Sequence, residues 1–246
     1  MYGFPAHVDL SFFVDRRVGS VCLSKNQMII RFEGGVVLDS ACMATIEVGG
    51  VTVASDLPRD LAGHAGQLIA DVVSEVSSDV DGTLRLTFRS GAVLMLTDSG
   101  SPGYELRDRV RDHVDRGLEE RPRQNGSCMY GFADDVDLSF FKGAVLEQVC
   151  LGAHQVILRF YSDVSVNSAC WMALAVGDHR IESDDPRVLA PALMGLITET
   201  VVDVRWKSDG TLFLLFLNGG VMRIEDDAAP HYESYHIKHG KDLIVV

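Results

Sequence analysis

No apolar run in the chain approaches the roughly 18–20 residues that span a bilayer. The opening residues Met1-Tyr2-Gly3-Phe4 lack the basic-then-apolar order of a secretory signal. Both absences point to a cytoplasmic protein with no membrane partner. Cysteine is scarce. The five residues Cys22, Cys42, Cys128, Cys150 and Cys170 are odd in number and include no Cys-x-x-Cys pair. That argues against a disulfide framework and against a zinc site built on adjacent thiolates. Basic residues are the minority, with 22 Lys and Arg against 35 Asp and Glu and a net charge of −13. Such a field repels phosphate backbones and anionic surfaces, so no nucleic-acid partner is expected. The chain also lacks a Gly-x-Ser-x-Gly elbow, a phosphate-cradling glycine loop before a helix, and a basic patch interleaved with aromatics.

What is present is a globular composition: 47% hydrophobic and 23% charged over 246 residues, enough for one large core or two small ones. Surplus acid is first a solubility device. It also attracts a basic protein partner. Divided after Cys128, the halves carry −5 and −8, so both are acidic (18 acidic against 13 basic residues, then 17 against 9).

The strongest pattern is an internal duplication with an offset of 128. Met1-Tyr2-Gly3-Phe4 falls on Met129-Tyr130-Gly131-Phe132, and Val8-Asp9-Leu10-Ser11-Phe12-Phe13 on Val136-Asp137-Leu138-Ser139-Phe140-Phe141. Val21-Cys22-Leu23, Ser40-Ala41-Cys42, Pro58-Arg59, Asp81-Gly82-Thr83-Leu84 and Tyr104-Glu105 all recur 128 positions on without a gap. Roughly four positions in ten are identical, which rules out chance. The chain therefore reads as a first repeat (1–106), a charged linker (107–128) and a second repeat (129–246), related as a pseudo-two-fold pair. A duplicated chain of this kind is expected to be a monomer that contains its own pseudo-dimer. Leu106, Val110, Val114 and Leu118 recur every fourth residue among alternating charges, so a solvated helix is predicted over 106–123. The second repeat ends instead in a turn at Gly240-Lys241 and an apolar strand.

Within one repeat, β-branched alternation predicts strands near 18–23, 27–32, 36–38, 44–48, 73–76, 84–88 and 93–96. Gly49-Gly50, Asp81-Gly82 and Ser90-Gly91 supply turns. One helix comes after Gly49-Gly50. Ser55 or Asp56 can cap it, Pro58 suits its first turn, and Leu61, Leu68 and Ile69 form its buried face. The fold class is α+β: two mostly antiparallel domains of about six or seven strands, each with one packed helix.

Candidate chemistry is sparse. His231, Glu233, His236 and His239 cluster near the end, but their spacing fits no metal motif, and no metal or cofactor is expected. Cys22 and Cys150 lie inside apolar strands, where a thiol acts as a small hydrophobe. Cys42 and Cys170 recur after Ser-Ala and are the thiols an enzyme would use. Asp9 and Asp137 cap or turn the chain. Arg31 and Arg159 lie in apolar strands and call for a carboxylate partner, with Glu105 and Glu233 as candidates. The candidate binding set is therefore Tyr232, Glu233, Tyr235, His236, Arg159 and Asp137, with Tyr104, Glu105 and Arg31 in the first repeat.

Tyr130-Gly131-Phe132, Asp137-Leu138-Ser139-Phe140, Val149-Cys150-Leu151, Asp209-Gly210-Thr211-Leu212 and Tyr232-Glu233-Ser234-Tyr235, with Ile237 and His239-Gly240 after them, resemble a small bacterial domain family of unknown function. The resemblance covers residues 129–246, with the Tyr-Glu-Ser-Tyr segment its most specific part. It implies a domain that usually stands alone, and it implies no activity. The first repeat keeps Tyr104-Glu105 but has Leu106-Arg107 in place of Ser234-Tyr235. In size and charge the domain is similar to immunity proteins that neutralise toxins. The leading expectation is a non-enzymatic binding protein, immunity-like or regulatory, with a basic protein partner. The alternative is a small-molecule or nucleotide binder with its site between the repeats or near Tyr232–Tyr235. An enzyme using Cys42 and Cys170, or the histidine cluster, comes third.

Overall fold

In the computed structural model, which describes residues 9–79, 82–97, 131–133, 135–226 and 234–246, both halves open with the same capped turn. Asp9 Oδ1 accepts the Ser11 N–H at 2.9 Å and Asp137 Oδ1 accepts the Ser139 N–H at 2.8 Å. Each carboxylate closes a three-residue 3-10 turn, Ser11–Phe13 or Ser139–Phe141, as the sequence predicts. The turn drives Phe13 edge-on into Phe32 at 5.4 Å between ring centroids, and Phe141 into Phe160 at 5.6 Å. Such aromatic pairs contribute about 0.5–1.5 kcal/mol beyond the area they bury.

The first half continues with β1 (Val18–Ser24), β2 (Met28–Phe32), β3 (Val37–Ser40), β4 (Met43–Val48), β5 (Val51–Ser55), α1 (Pro58–Gln67), β6 (Val73–Ser78), β7 (Leu84–Phe88) and β8 (Val93–Thr97). The second half has β9 (Leu146–Gly152), β10 (Val156–Phe160), β11 (Val164–Ser168), β12 (Met172–Val176), β13 (His179–Ser183), α2 (Pro186–Met194), β14 (Val201–Trp206), β15 (Leu212–Phe216) and β16 (Val221–Ile224). Two further strands, β17 (Tyr235–His239) and β18 (Asp242–Val245), end the chain. Each half thus has eight matching strands among the described residues, more than the six or seven expected. The missed strands are β5 and β13. They come after a tight turn and are largely exposed, so they carry little apolar alternation to read. The helix predicted over 106–123 lies outside the described residues.

All strand pairs are antiparallel and form three sheets. The largest runs β18-β17-β11-β10-β9-β1-β2-β3, and two five-stranded sheets run β5-β4-β8-β7-β6 and β13-β12-β16-β15-β14. The large sheet passes from one half to the other through β1 and β9, where Val21 faces Leu151, Cys22 faces Cys150 and Leu23 faces Val149. On its inner face, Val21, Leu23, Val149 and Leu151 enter one apolar core that extends through both halves. Full burial of each such side chain contributes about 1.5–3 kcal/mol.

The helices meet beneath this seam. Gly63 and Gly66 of α1 let α2 come close, with Pro191 Cγ and the Arg187 backbone at ordinary contact distance from where side chains would begin. Pro58 and Pro186 start the two helices, and the predicted faces are buried, with Leu61, Leu68 and Ile69 in one half and Leu189, Leu193, Leu196 and Ile197 in the other. The cap differs from expectation. Leu57 holds the cap position of α1 without a side-chain bond, and Ser55 Oγ instead accepts the Leu57 N–H and donates to Asp60. In α2, Asp185 caps through the Arg187 N–H. No helix among the described residues is long and apolar enough to cross a membrane.

Candidate functional site

The outer face of the eight-stranded sheet carries several of the residues singled out by sequence. The register aligns one row across every strand: Asp39, Ile29, Cys22, Cys150, Ile157, Asn167, His236 and Val245. Cys22 and Cys150 form a disulfide at the centre of that row, with Cα atoms 3.9 Å apart. This corrects the reading of both as packed thiols. Counting cysteines cannot reveal that a duplicated strand pairs with its own copy. Both sulfurs are buried, between Ile29 on one side and Ile157 on the other.

Arg31 and Arg159 lie on the same outer face. Arg159 Nη1 donates to Gln148 Oε1 at 2.9 Å, an amide on the neighbouring strand. Arg31 sits across from Ser20 and Val37 and takes no ion pair among the described residues. The carboxylates expected to pair with them, Glu105 and Glu233, lie outside the described residues, as do Tyr104, Tyr232 and His231. Gln27 Nε2 donates to Asp39 Oδ1 at 2.7 Å, and the matching pair Gln155 and Asn167 bonds in the second half.

The closing segment is a structural keystone where it is described. Tyr235 is buried, packs edge-on against Phe132 at 6.0 Å, and donates its hydroxyl to the Gly210 carbonyl. Burial pushes its phenol well above the usual tyrosine range, and the neighbouring Cys170 and Asp226 add to the shift. Ser234 donates to Asp226. Gly210, at φ +85°, has no room for a side chain, because a Cβ would lie 2.6 Å from Asp226 and 2.9 Å from Val246. Gly131, at φ +103°, is pressed against the Ser208 carbonyl in the same way and turns the chain so that Phe132 meets Tyr235. In the second half, Gly131, Phe132 and Gly210 are thus placed by packing around one tyrosine. Asp137 serves as the turn cap, and the Ser139 N–H holds its carboxyl below the usual range.

The enzyme candidates separate in space. His236 lies on the outer face, whereas His239 stacks on Phe140 at 4.3 Å. Among the described residues, no three of His, Cys, Asp and Glu gather as a metal site. Cys42 and Cys170 each sit 3.0 Å from the hydroxyl of the serine two residues earlier, Ser40 or Ser168. Cys170 is buried and Cys42 half-buried.

A cleft that sequence reasoning could place only as "between the repeats" lies on one side of the α1–α2 contact. Its volume is about 360 Å³, and Lys25, Leu57 and Arg59 of one half face Met194, Ile197 and Glu199 of the other. The cations are loosely held. Arg59 reaches Asp60 only at 3.6 Å, with both side chains exposed, and Lys25 takes no ion pair among the described residues. At the matching positions of the other half, Asp185 replaces Leu57 and grips Arg187 through 2.8 and 2.9 Å bonds, and Ala153 replaces Lys25. Those bonds hold the Asp185 carboxyl below its ordinary range. Arg59 is thus less tightly paired than Arg187, and it shares its cleft with Lys25 and with the carboxylate Glu199.

No curated protein matches the chain. A family model does match in part: residues 138–246, which carry the Asp209-Gly210-Thr211 turn and the closing Tyr235, are similar to a family of unknown function, DUF6188.

Proposed function

We propose that this protein is a non-enzymatic binding protein, immunity-like or regulatory, whose partner is another protein of basic character. The observation that carries the reading is the eight-stranded sheet. One of its faces supplies the core, while the other carries part-exposed or exposed residues such as Arg31, Arg159, His236 and Val245, and β3 is its last strand among the described residues. A broad sheet joined across two halves is a stiff platform for recognition. A net charge of −13 steers a basic partner toward it, an effect that salt weakens.

We also infer a local two-fold axis between the halves, passing between Cys22 and Cys150 and between Gly63 and Pro191, each pair 128 residues apart. The antiparallel β1–β9 register and the close approach of Gly63 to Pro191 support it. The chain would then hold in one polypeptide the pair that a single-domain relative makes by dimerising, and it would run as a monomer. Light scattering at one chain's mass is expected; twice that mass would overturn the monomer.

The test of partner class uses the immobilised full-length protein and its own cell lysate. A basic protein retained at low salt and released at high salt is expected. Retention of nothing at either salt would sink the reading.

A second reading is favoured by the charge asymmetry of the inter-half cleft: Lys25 and Arg59 would hold a small phosphate- or carboxylate-bearing ligand, a nucleotide included. Thermal shift against a metabolite library should then yield hits that Arg59→Ala abolishes, because a bound ligand stabilises the folded state by mass action. A flat response would end this reading.

A further inference from the structure

The two halves differ most at one edge. In the second half, β11 is covered by β17, which pairs along it from Val164–His239 to Ser168–Tyr235. In the first half, β3 holds the matching place and is the last strand of the sheet among the described residues. The side chains that seal β17 to the core are Tyr235 and Ile237, both fully buried. The repeat places Arg107 and Arg109 opposite them in sequence, and neither replaces a buried aromatic or aliphatic group. The sequence of the first repeat thus lacks, at these two positions, the apolar pair that seals β17 in the second.

β3 is built to receive such a strand. Val36 accepts the Phe32 N–H at 2.8 Å, so by antiparallel alternation Val36, Leu38 and Ser40 bond inward to β2. Val37 and Asp39 then point their N–H and C=O groups outward, like Ser165 and Asn167, the matching residues that face β17. β3 contains neither proline nor lysine, the residues that commonly blunt a free edge. Cys42, at the end of this edge, is half-buried, whereas Cys170 under β17 is buried. The side chain of Asp39 lies where Asn167 meets His236 in the second half. A carboxylate there matches a cation on the incoming strand.

We propose that β3 accepts a ninth, antiparallel strand from a partner protein. That strand would carry an aromatic and a branched aliphatic residue two positions apart on its inner side and a basic residue between them. This rests on the protein-binding reading above and names how the partner is gripped: main-chain bonds supply affinity, and the alternating side chains supply specificity.

The first probe is a synthetic peptide of residues 234–246, whose Tyr-His-Ile pattern pairs at the equivalent edge. Full-length protein should bind it saturably. Val37→Pro, which removes an outward N–H at a position where an edge strand tolerates proline, should weaken binding roughly tenfold or more with an unchanged circular dichroism spectrum. Asp39→Lys should weaken it less, and most at low salt. Hydrogen exchange reads the edge directly. The Val37 and Asp39 amides should exchange quickly in the free chain and slowly with peptide. Slow exchange in the free chain would mean that its own segment covers β3, and would overturn the proposal. So would the absence of saturable binding, or equal binding by Val37→Pro. A lysate partner retained equally by Val37→Pro would refute strand addition and leave the protein-binding reading standing. Peptide binding with no lysate partner would do the reverse.

Discussion

β3 and β11 stand 128 residues apart in matching places, yet among the described residues one ends a sheet and the other lies inside it. Their own residues do not explain this, since both alternate buried and outward positions. The repeats also differ at their ends: Tyr235 and Ile237 are buried beside β11, and the sequence has Arg107 and Arg109 at the matching positions. The same division holds elsewhere. Apolar positions such as Leu61 and Leu189, or Phe13 and Phe141, keep their packing in both halves. Polar positions have drifted, with Leu57 against Asp185, Lys25 against Ala153 and Asp39 against Asn167. Duplication left the scaffold under one constraint, close packing, and freed one copy's surface and edge to diverge.

The largest expected effect removes what joins the halves. The disulfide closes a loop of 128 residues. Replacing Cys22 and Cys150 with serine, or reducing the bond, should cost on the order of 4–5 kcal/mol by chain entropy. Denaturant unfolding with and without reductant measures this. An unchanged midpoint would show that sheet and helix contacts alone hold the seam.

Next, Ile237→Ala should cost about 2–5 kcal/mol by opening a cavity in a sealed edge, whereas Val37→Ala on the uncovered edge should stay within about 0.5 kcal/mol. Equal costs would erase the distinction between the two edges.

Tyr235→Phe leaves the buried Gly210 carbonyl without its donor and should cost about 1–3 kcal/mol. The phenol also has a raised folded-state value, so its contribution is intact below the unfolded tyrosine value near 10. It is lost as pH rises from there toward the folded value. Wild type should therefore lose stability above pH of about 10, and the phenylalanine variant should lose less.

The helix caps give the smallest effect. Asp185→Ala should cost about 1 kcal/mol, and Leu57→Asp should return a comparable gain to α1. Because Arg187 holds Asp185 below its ordinary 3.8, this contribution is present above that value and fades as pH falls through the lower folded value. Acid titration of unfolding should show a shallower loss in Asp185→Asn than in wild type.

Much of the fold was legible because packing leaves a periodic trace. The 128-residue offset, most strands, the proline-started helices and the Asp9 and Asp137 turns could all be read from short-range patterns. The two strands that were missed, β5 and β13, are largely exposed and leave no such trace. The candidate site was less legible. Tyr235 was marked for binding because it lies in the distinctive Tyr-Glu-Ser-Tyr motif, and it is a core residue; a motif records constraint without saying whether packing or recognition imposes it. The Lys25–Arg59 cleft could not be anticipated at residue level, since its walls are more than 130 residues apart in sequence.

By itself, the sequence determined that there are two homologous halves, that both are acidic and mostly β, and that each carries one helix. These properties arise from local periodicity and composition. Only the tertiary structure decided that β1 pairs with its own copy β9, that Cys22 meets Cys150 at that seam, and that β3 is the last strand of its sheet among the described residues. Each of these depends on which distant strand lies alongside, and strand pairing is a long-range choice that no local window of residues contains.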